Sequence, residues 1–192
     1  MTRIRSYALP IALLALTVQV VSARVDVKID YDKSFNFKAV RTWGWHADGP
    51  GEVKMARTQT DNPEAMTKLA EPPIVDAVTV EMTRLGLQQA PSDPDLAVHY
   101  YLLLTTNQSA QTIGQFLPGT VAWGIPPFAQ ATQSLKVLNQ GALVLDLSAK
   151  GTVVWRGVAQ AQVKPDTVVK KREALLREAV RDLLKRYPPK QQ

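Results

Sequence analysis

The chain predicts an α+β fold: a two-layer sandwich, with a mixed sheet of about five strands and two main helices packed on one face. Three observations predict it. Arg24–Tyr31 alternates apolar and polar residues with period two. Gly141–Leu147 and Thr152–Val163 are two strand-like runs joined by the short turn Ser148-Ala149-Lys150-Gly151. Pro73–Leu85 and Thr167–Tyr187 each carry an apolar stripe at helical spacing and are separated by strands.

Taken in order, Val25, Val27, Ile29 and Tyr31 share one face of the first strand, and Asp26, Lys28 and Asp30 the other. Phe35 and Phe37 lie in the link to a second strand, Val40–Trp45, which places Trp43 and Trp45 on one side. His46–Pro72 shows no sustained period and is punctuated by Gly49-Pro50-Gly51 and Asn62-Pro63, so it reads as a long surface connection. Pro73 suits the first turn of a helix, where no N–H is needed. Ile74, Val75, Val78, Met82 and Leu85 form its stripe, and Gly86 sits at the expected left-handed cap. Leu96–Leu104 is apolar on both alternating sets, as in a central strand.

Small residues Gly157, Ala159 and Ala161 share one face of the last strand and invite a close helix. The final helix answers with a stripe running from Val168 and Val169 through Leu175, Leu176, Ala179, Val180, Leu183 and Leu184 to Tyr187. Asp166 or Thr167 is placed to cap it, and Pro188-Pro189 ends it. The strand–helix–strand unit from Trp43 to Leu104 is expected to cross over right-handed.

The N-terminus predicts destination. Arg3 and Arg5 precede an apolar run, Ala8–Val21, and Val21-Ser22-Ala23 offers small residues where a signal peptidase reads. The run is shorter than the roughly 20 apolar residues of a membrane span. Residues 1–23 are therefore expected to be a signal peptide, with a single domain at 24–192 and a periplasmic or secreted location. Losing Arg3 and Arg5 would lower the formal charge from +6 to +4. That mild surplus permits weak contact with an anionic membrane surface and demands nothing. The chain has no cysteine. Disulfides, thiolate catalysis, cysteine metal sites and lipoprotein acylation are excluded with it.

No catalytic set assembles. His46 and His99 are the only histidines and lack paired spacing, whereas a zinc site wants three or four protein ligands. Asp26 and Asp30 alternate with Lys28 on a solvated strand face, and Asp32 has no calcium-type loop behind it. There is no Gly-x-Ser-x-Gly elbow and no phosphate-binding glycine loop. No catalytic, cofactor or metal residue is assigned. The basic side of the last helix, Lys170, Lys171, Arg177, Arg181, Lys185 and Arg186, is interleaved with Glu173, Glu178 and Asp182 and reads as a solvated face. Nucleic acid is not an expected partner.

The long segment 105–140 stands apart. Its Gly114, Pro118-Gly119, Gly124 and Pro126-Pro127 oppose regular structure, yet it holds Phe116, Leu117, Trp123, Ile125 and Phe128. These five form the candidate interaction loop, since long unpatterned connections are usually functional or simply disordered. They would bury themselves on a partner, or pack over one edge of the sheet.

Several short motifs bear on family. They are Tyr31-Asp32 with Phe35 and Phe37; Thr42-Trp43-Gly44-Trp45; Pro94-Asp95-Leu96-Ala97-Val98; Gly141–Leu147; Val154-Trp155-Arg156-Gly157; and Tyr187-Pro188-Pro189. Together, in order and spacing, they resemble a bacterial envelope family known as domain of unknown function 4136. The resemblance implies an exported, often lipid-anchored protein with a mixed sheet and helices, and no known reaction. The missing lipobox cysteine sets this chain apart from many relatives. The expectation is an exported envelope protein that binds an envelope protein or polymer without catalysis. The alternatives are an envelope hydrolase with a carboxylate/histidine site, or a peripheral membrane-associated protein using the basic helix.

Overall fold

The computed structural model describes residues 25–55, 62–104, 125–126, 141–161 and 168–189. In chain order these form β1 (Asp26–Tyr31), a 3-10 turn (Phe37–Ala39), β2 (Thr42–Trp45), β3 (Gly51–Met55), α1 (Pro63–Arg84), β4 (Gln88–Gln89), β5 (Leu96–Leu104), β6 (Gly141–Ala149), β7 (Thr152–Ala161) and α2 (Val169–Leu184). The fold is α+β, and the sheet is mixed, as expected. It has seven strands, in the order β1-β7-β6-β5-β2-β4, with β3 pairing β5.

The two strands beyond expectation are short. β4 has two residues. β3 lies in what reads as a surface connection, because its buried Val53 stands between Glu52 and Lys54. β2 and β3 both run parallel to β5 along the same edge. β2 takes Leu96–Val98 and β3 takes Tyr100–Leu104, with an arch, His46–Pro50, between them.

α1 is a turn-by-turn correction. It starts ten residues earlier than the apolar stripe suggests, because Asn62 caps it and Pro63 fills its first position. The Asn62 side chain accepts a hydrogen bond from the Ala65 N–H at 3.0 Å. Pro72 and Pro73, which look like a start, sit inside the helix and withhold two i→i−4 donors. The C-terminus closes as expected. Gly86 has φ +80°. Its N–H reaches the Thr83 carbonyl and the Leu87 N–H reaches the Met82 carbonyl, a Schellman motif.

Both helices cover one sheet face. Ile74, Val78 and Met82 of α1 and Ala179, Val180, Leu183 and Leu184 of α2 meet Trp43, Val98, Tyr100, Leu143, Leu145, Leu147 and Trp155 of the sheet. Gly157 makes the close approach possible. A Cβ there would lie 2.5 Å from the Trp155 ring and 2.6 Å from Leu183 Cδ2. At one corner Tyr31, Phe35, Phe37, Trp155 and Tyr187 stack edge to face at 4.8–6.1 Å.

The stripe of α2 is not continuous. Val168 and Val169 are 68% and 61% exposed. Among the described residues the first turn of α2 contributes no side chain to the core. Its N-cap is Val168, without a side-chain capping bond, while Asp166 and Thr167 lie outside the described residues.

Candidate functional site

The face of the sheet away from the helices is built from the other alternating set. β5 contributes His99, Tyr101 and Leu103; β6 contributes Ala142, Val144 and Asp146; β7 contributes Arg156, Val158 and Gln160. Register aligns these into rows. Asp30, Arg156, Asp146 and His99 are successive cross-strand partners from β1 to β5. The next row runs Lys28, Val158, Val144, Tyr101 and Glu52.

Asp146 and Arg156 form a bidentate pair inside this face. Arg156 Nε donates to Asp146 Oδ1 and Nη2 to Oδ2, both at 2.6 Å. Both side chains are at most 4% exposed. Burial pushes the Asp146 carboxyl above the usual carboxylate range, and the Arg156 hydrogen bonds and charge pull it back part of the way. Arg156 Nη2 also donates to the Pro126 carbonyl at 2.8 Å. Beside that contact Ile125, 2% exposed, packs with Tyr101, Leu103, Ala142, Val144 and Val158. Ile125 of the candidate loop is thus already buried on the sheet. Phe116, Leu117, Trp123 and Phe128 lie outside the described residues.

The two histidines, remote in sequence, meet at the β5 edge of the same face. Their ring centroids are 5.3 Å apart, and His99 lies 4.7 Å from Tyr101. His99 Nδ1 is 3.0 Å from the Gly49 carbonyl, an acceptor, so Nδ1 carries the proton and donates. Desolvation by burial lowers the His99 pKa, and the Gly49 hydrogen bond opposes it. His46 Nδ1 accepts from the Asp48 N–H at 3.2 Å and lies 3.4 Å from the Asp48 carboxylate. Burial pushes the Tyr101 hydroxyl up to about 12. Lys54 Nζ sits 5.6 Å above the Tyr101 ring and pairs with Glu52 at 3.0 Å. Among the described residues no three histidine or acidic side chains are grouped to hold a metal ion.

Other expectations resolve singly. Asp26 and Asp30 do lie on the open face, with Lys28 3.7 Å from Asp26. Asp32 instead turns the chain, accepting from the Ser34 N–H and hydroxyl. Trp43 and Trp155 are core, and Trp45 packs half-buried against it. Sequence reasoning gave no role to Asp146 and Arg156. The signal was there: single charges inside Leu145-Asp146-Leu147 and Trp155-Arg156-Gly157, on the two strands of one hairpin.

Thr42 and Asp95, from two of the motifs, hold the fold. Asp95 Oδ2 accepts from the Arg41 and Thr42 N–H groups at 2.8 and 2.9 Å, and the Asp95 N–H donates back to Thr42 Oγ1. These bonds hold the Asp95 carboxyl below its usual range. They clamp the start of β2 to the start of β5.

A family model described as Domain of unknown function (DUF4136) matches residues 27–189. The fold is similar to the crystal structure of a DUF4136 family protein from Bacteroides thetaiotaomicron VPI-5482. The identity is 19% and the TM-score 0.51, over 85% of this chain and 96% of that one. A PDZ domain protein from Parabacteroides distasonis ATCC 8503 is 12% identical with a TM-score of 0.48, over 87% of this chain and 36% of that one. No curated protein matches this chain.

Proposed function

From its membership of the DUF4136 family, to which this chain belongs, and from its open sheet face, we propose an exported envelope protein that binds a partner protein or polymer without a reaction of its own. The Arg156 clamp is the observation that carries this reading. The guanidinium is held by Asp146 and in turn holds the Pro126 carbonyl. Pro126, midway along segment 105–140, is thereby anchored on the face that no described helix covers. Phe116, Leu117, Trp123 and Phe128 flank that anchor in sequence. Large apolar residues beside a fixed point form a contact surface at small ordering cost.

The ionisable groups of this face serve the fold. Asp146 is committed to Arg156, His99 to Gly49 and His46 to Asp48. The hydrolase alternative would have to work through Nε2 of His99 or His46, and among the described residues no three histidine or acidic side chains are grouped together. Export is supported by Arg3 and Arg5, the apolar run Ala8–Val21 and the small residues Ser22-Ala23.

A photocrosslinking residue in place of Trp123, in growing cells, tests binding; fractionation of the same cells tests location. The expected result is a discrete adduct in the envelope fraction. A cytosolic protein, or an exported one that forms no adduct, would overturn the proposal.

A further inference from the structure

We propose that β1 pairs edge to edge with β1 of a second copy of this chain, antiparallel about a two-fold axis that sets Val27 opposite Val27. The pairing does not depend on the binding role proposed above.

β1 is the terminal strand of the sheet. Antiparallel pairing with β7 occupies every second residue of β1. Asp32 donates its N–H to the Val154 carbonyl at 2.8 Å, so the even-numbered residues aim their backbone groups at β7. Those of Val25, Val27, Ile29 and Tyr31 point outward. The Tyr31 N–H is met by Asp30 Oδ1 at 2.9 Å. Among the described residues the outward groups of Val27 and Ile29 meet nothing. The other edge of the sheet is closed. β4 has two residues, and β3 donates its Val53 N–H to Thr67 Oγ1 of α1 at 3.3 Å.

Charged side chains usually keep such an edge from pairing. In β1 the charges select a register. Asp26 and Lys28 stand on the open-face side, with side chains 61% and 48% exposed. With Val27 opposite Val27, Asp26 of each copy faces Lys28 of the other, and Val25 faces Ile29. The aspartate–lysine pairs then fall at positions without backbone bonds, where side chains stand closest. An axis at Lys28 would set lysine against lysine and Asp26 against Asp30. An axis at Ile29 would set Asp26 against Asp32 and draw the Tyr31 N–H away from Asp30. Of the three, the Val27 axis alone opposes unlike charges throughout the described strand.

The apolar side of the strand gains as well. Val25, Val27 and Ile29 pack on the core but are only half-buried, and pairing takes more of their surface from water. Leu183 of α2 touches β7 at Gly157, and β7 would stand three strand spacings, about 14 Å, from its copy. Packed helices need about 8–10 Å, so the two α2 helices clear each other there. A two-fold seam uses the edge once, and assembly stops at two.

The full chain is expressed, the protein is purified as the cell processes it, and sedimentation equilibrium reads its association. The expected result for the wild type is a monomer–dimer equilibrium. Asp26→Lys or Lys28→Asp alone sets like charges opposite each other at both pairs, and should raise the dimer dissociation constant roughly tenfold or more. Both substitutions in one chain should restore the dimer. The two single variants, mixed, should form heterodimers more readily than either forms a homodimer, which also shows that both are folded. A monomer at every concentration would overturn the proposal. So would a dimer indifferent to both inversions, which would place the contact elsewhere. Losses that add in the double variant would reject the Val27 axis.

Discussion

The two faces of the sheet are held by opposite means. The helix face is stabilised by area: Trp43, Trp155, Ile74, Met82, Leu183 and their neighbours leave water together, and no single contact is indispensable. The open face holds a smaller apolar cluster around Ile125, and at its centre a buried ion pair directs everything. Hydrophobic burial is non-directional, so the helix face should lose stability in proportion to the volume removed. An ion pair taken out of water is stable only while both partners remain. The open face should therefore fail abruptly when one charge goes, and recover when both go.

That contrast sets the largest expected effect. Asp146→Ala leaves Arg156 buried and unpaired, which costs about 3–5 kcal/mol. Asp146→Leu combined with Arg156→Met removes both charges and should recover most of that loss, short of the bond to Pro126. Denaturant unfolding of the three proteins measures it. A double variant as unstable as the single one would show that the Pro126 contact, and not charge pairing, holds the face. On the helix side, Leu183→Ala should cost about 2–5 kcal/mol, since Leu183 is fully buried. No second substitution on the sheet should rescue it, other than one that refills the cavity over Gly157.

The same contrast governs what the sequence makes legible. The helix face could be read from period alone. Val27 and Ile29 on β1, Leu143 and Leu145 on β6, and Val180 and Leu183 on α2 repeat at two or three-to-four residues. Gly157 even announces where α2 comes closest. The open face could not, because its content lies between strands. Asp146 and Arg156 each stand out as a lone charge in an apolar strand, but they become a pair only through the β6–β7 register. His46 and His99 look isolated because the arch that joins them, His46–Pro50, is set by pairing of β2 and β3 along β5. The first half of α1 escaped notice because Pro72 and Pro73 break the local rule while tertiary packing keeps the helix intact. Val168 and Val169 show the reverse error: they keep the helical period yet are exposed.

Gly157 tests how tightly the helix face is packed. Alanine is a good strand residue by size, but its Cβ would meet Trp155 and Leu183 inside ordinary contact distance. Gly157→Ala should therefore destabilise by about 1–3 kcal/mol through overpacking, and not stabilise through lost chain entropy. Combined with Leu183→Ala it should cost less than the two losses added, because the smaller side chain makes room. Additive losses would mean that the helix shifts instead of the side chains.

The smallest effect belongs to the open face and depends on pH. His99 is half-buried, and desolvation holds its folded pKa below the ordinary 6.5. As pH falls below 6.5 the unfolded chain takes up a proton before the folded one does. Stability from this group is thus complete above the unfolded value and is lost as pH falls through the folded one. Asp146 works with the opposite sign: its folded pKa is raised, so the stability it brings declines as pH rises above the ordinary carboxylate value. The net profile mixes the two, and a substitution separates them. His99→Gln can still donate to the Gly49 carbonyl but does not titrate. Its melting temperature should change less than that of the wild type between pH 7.5 and 5.5, with wild type losing more on acidification. Overlapping profiles would show that His99 takes its proton equally well folded and unfolded, and that the β2–β3 arch does not shield it from water.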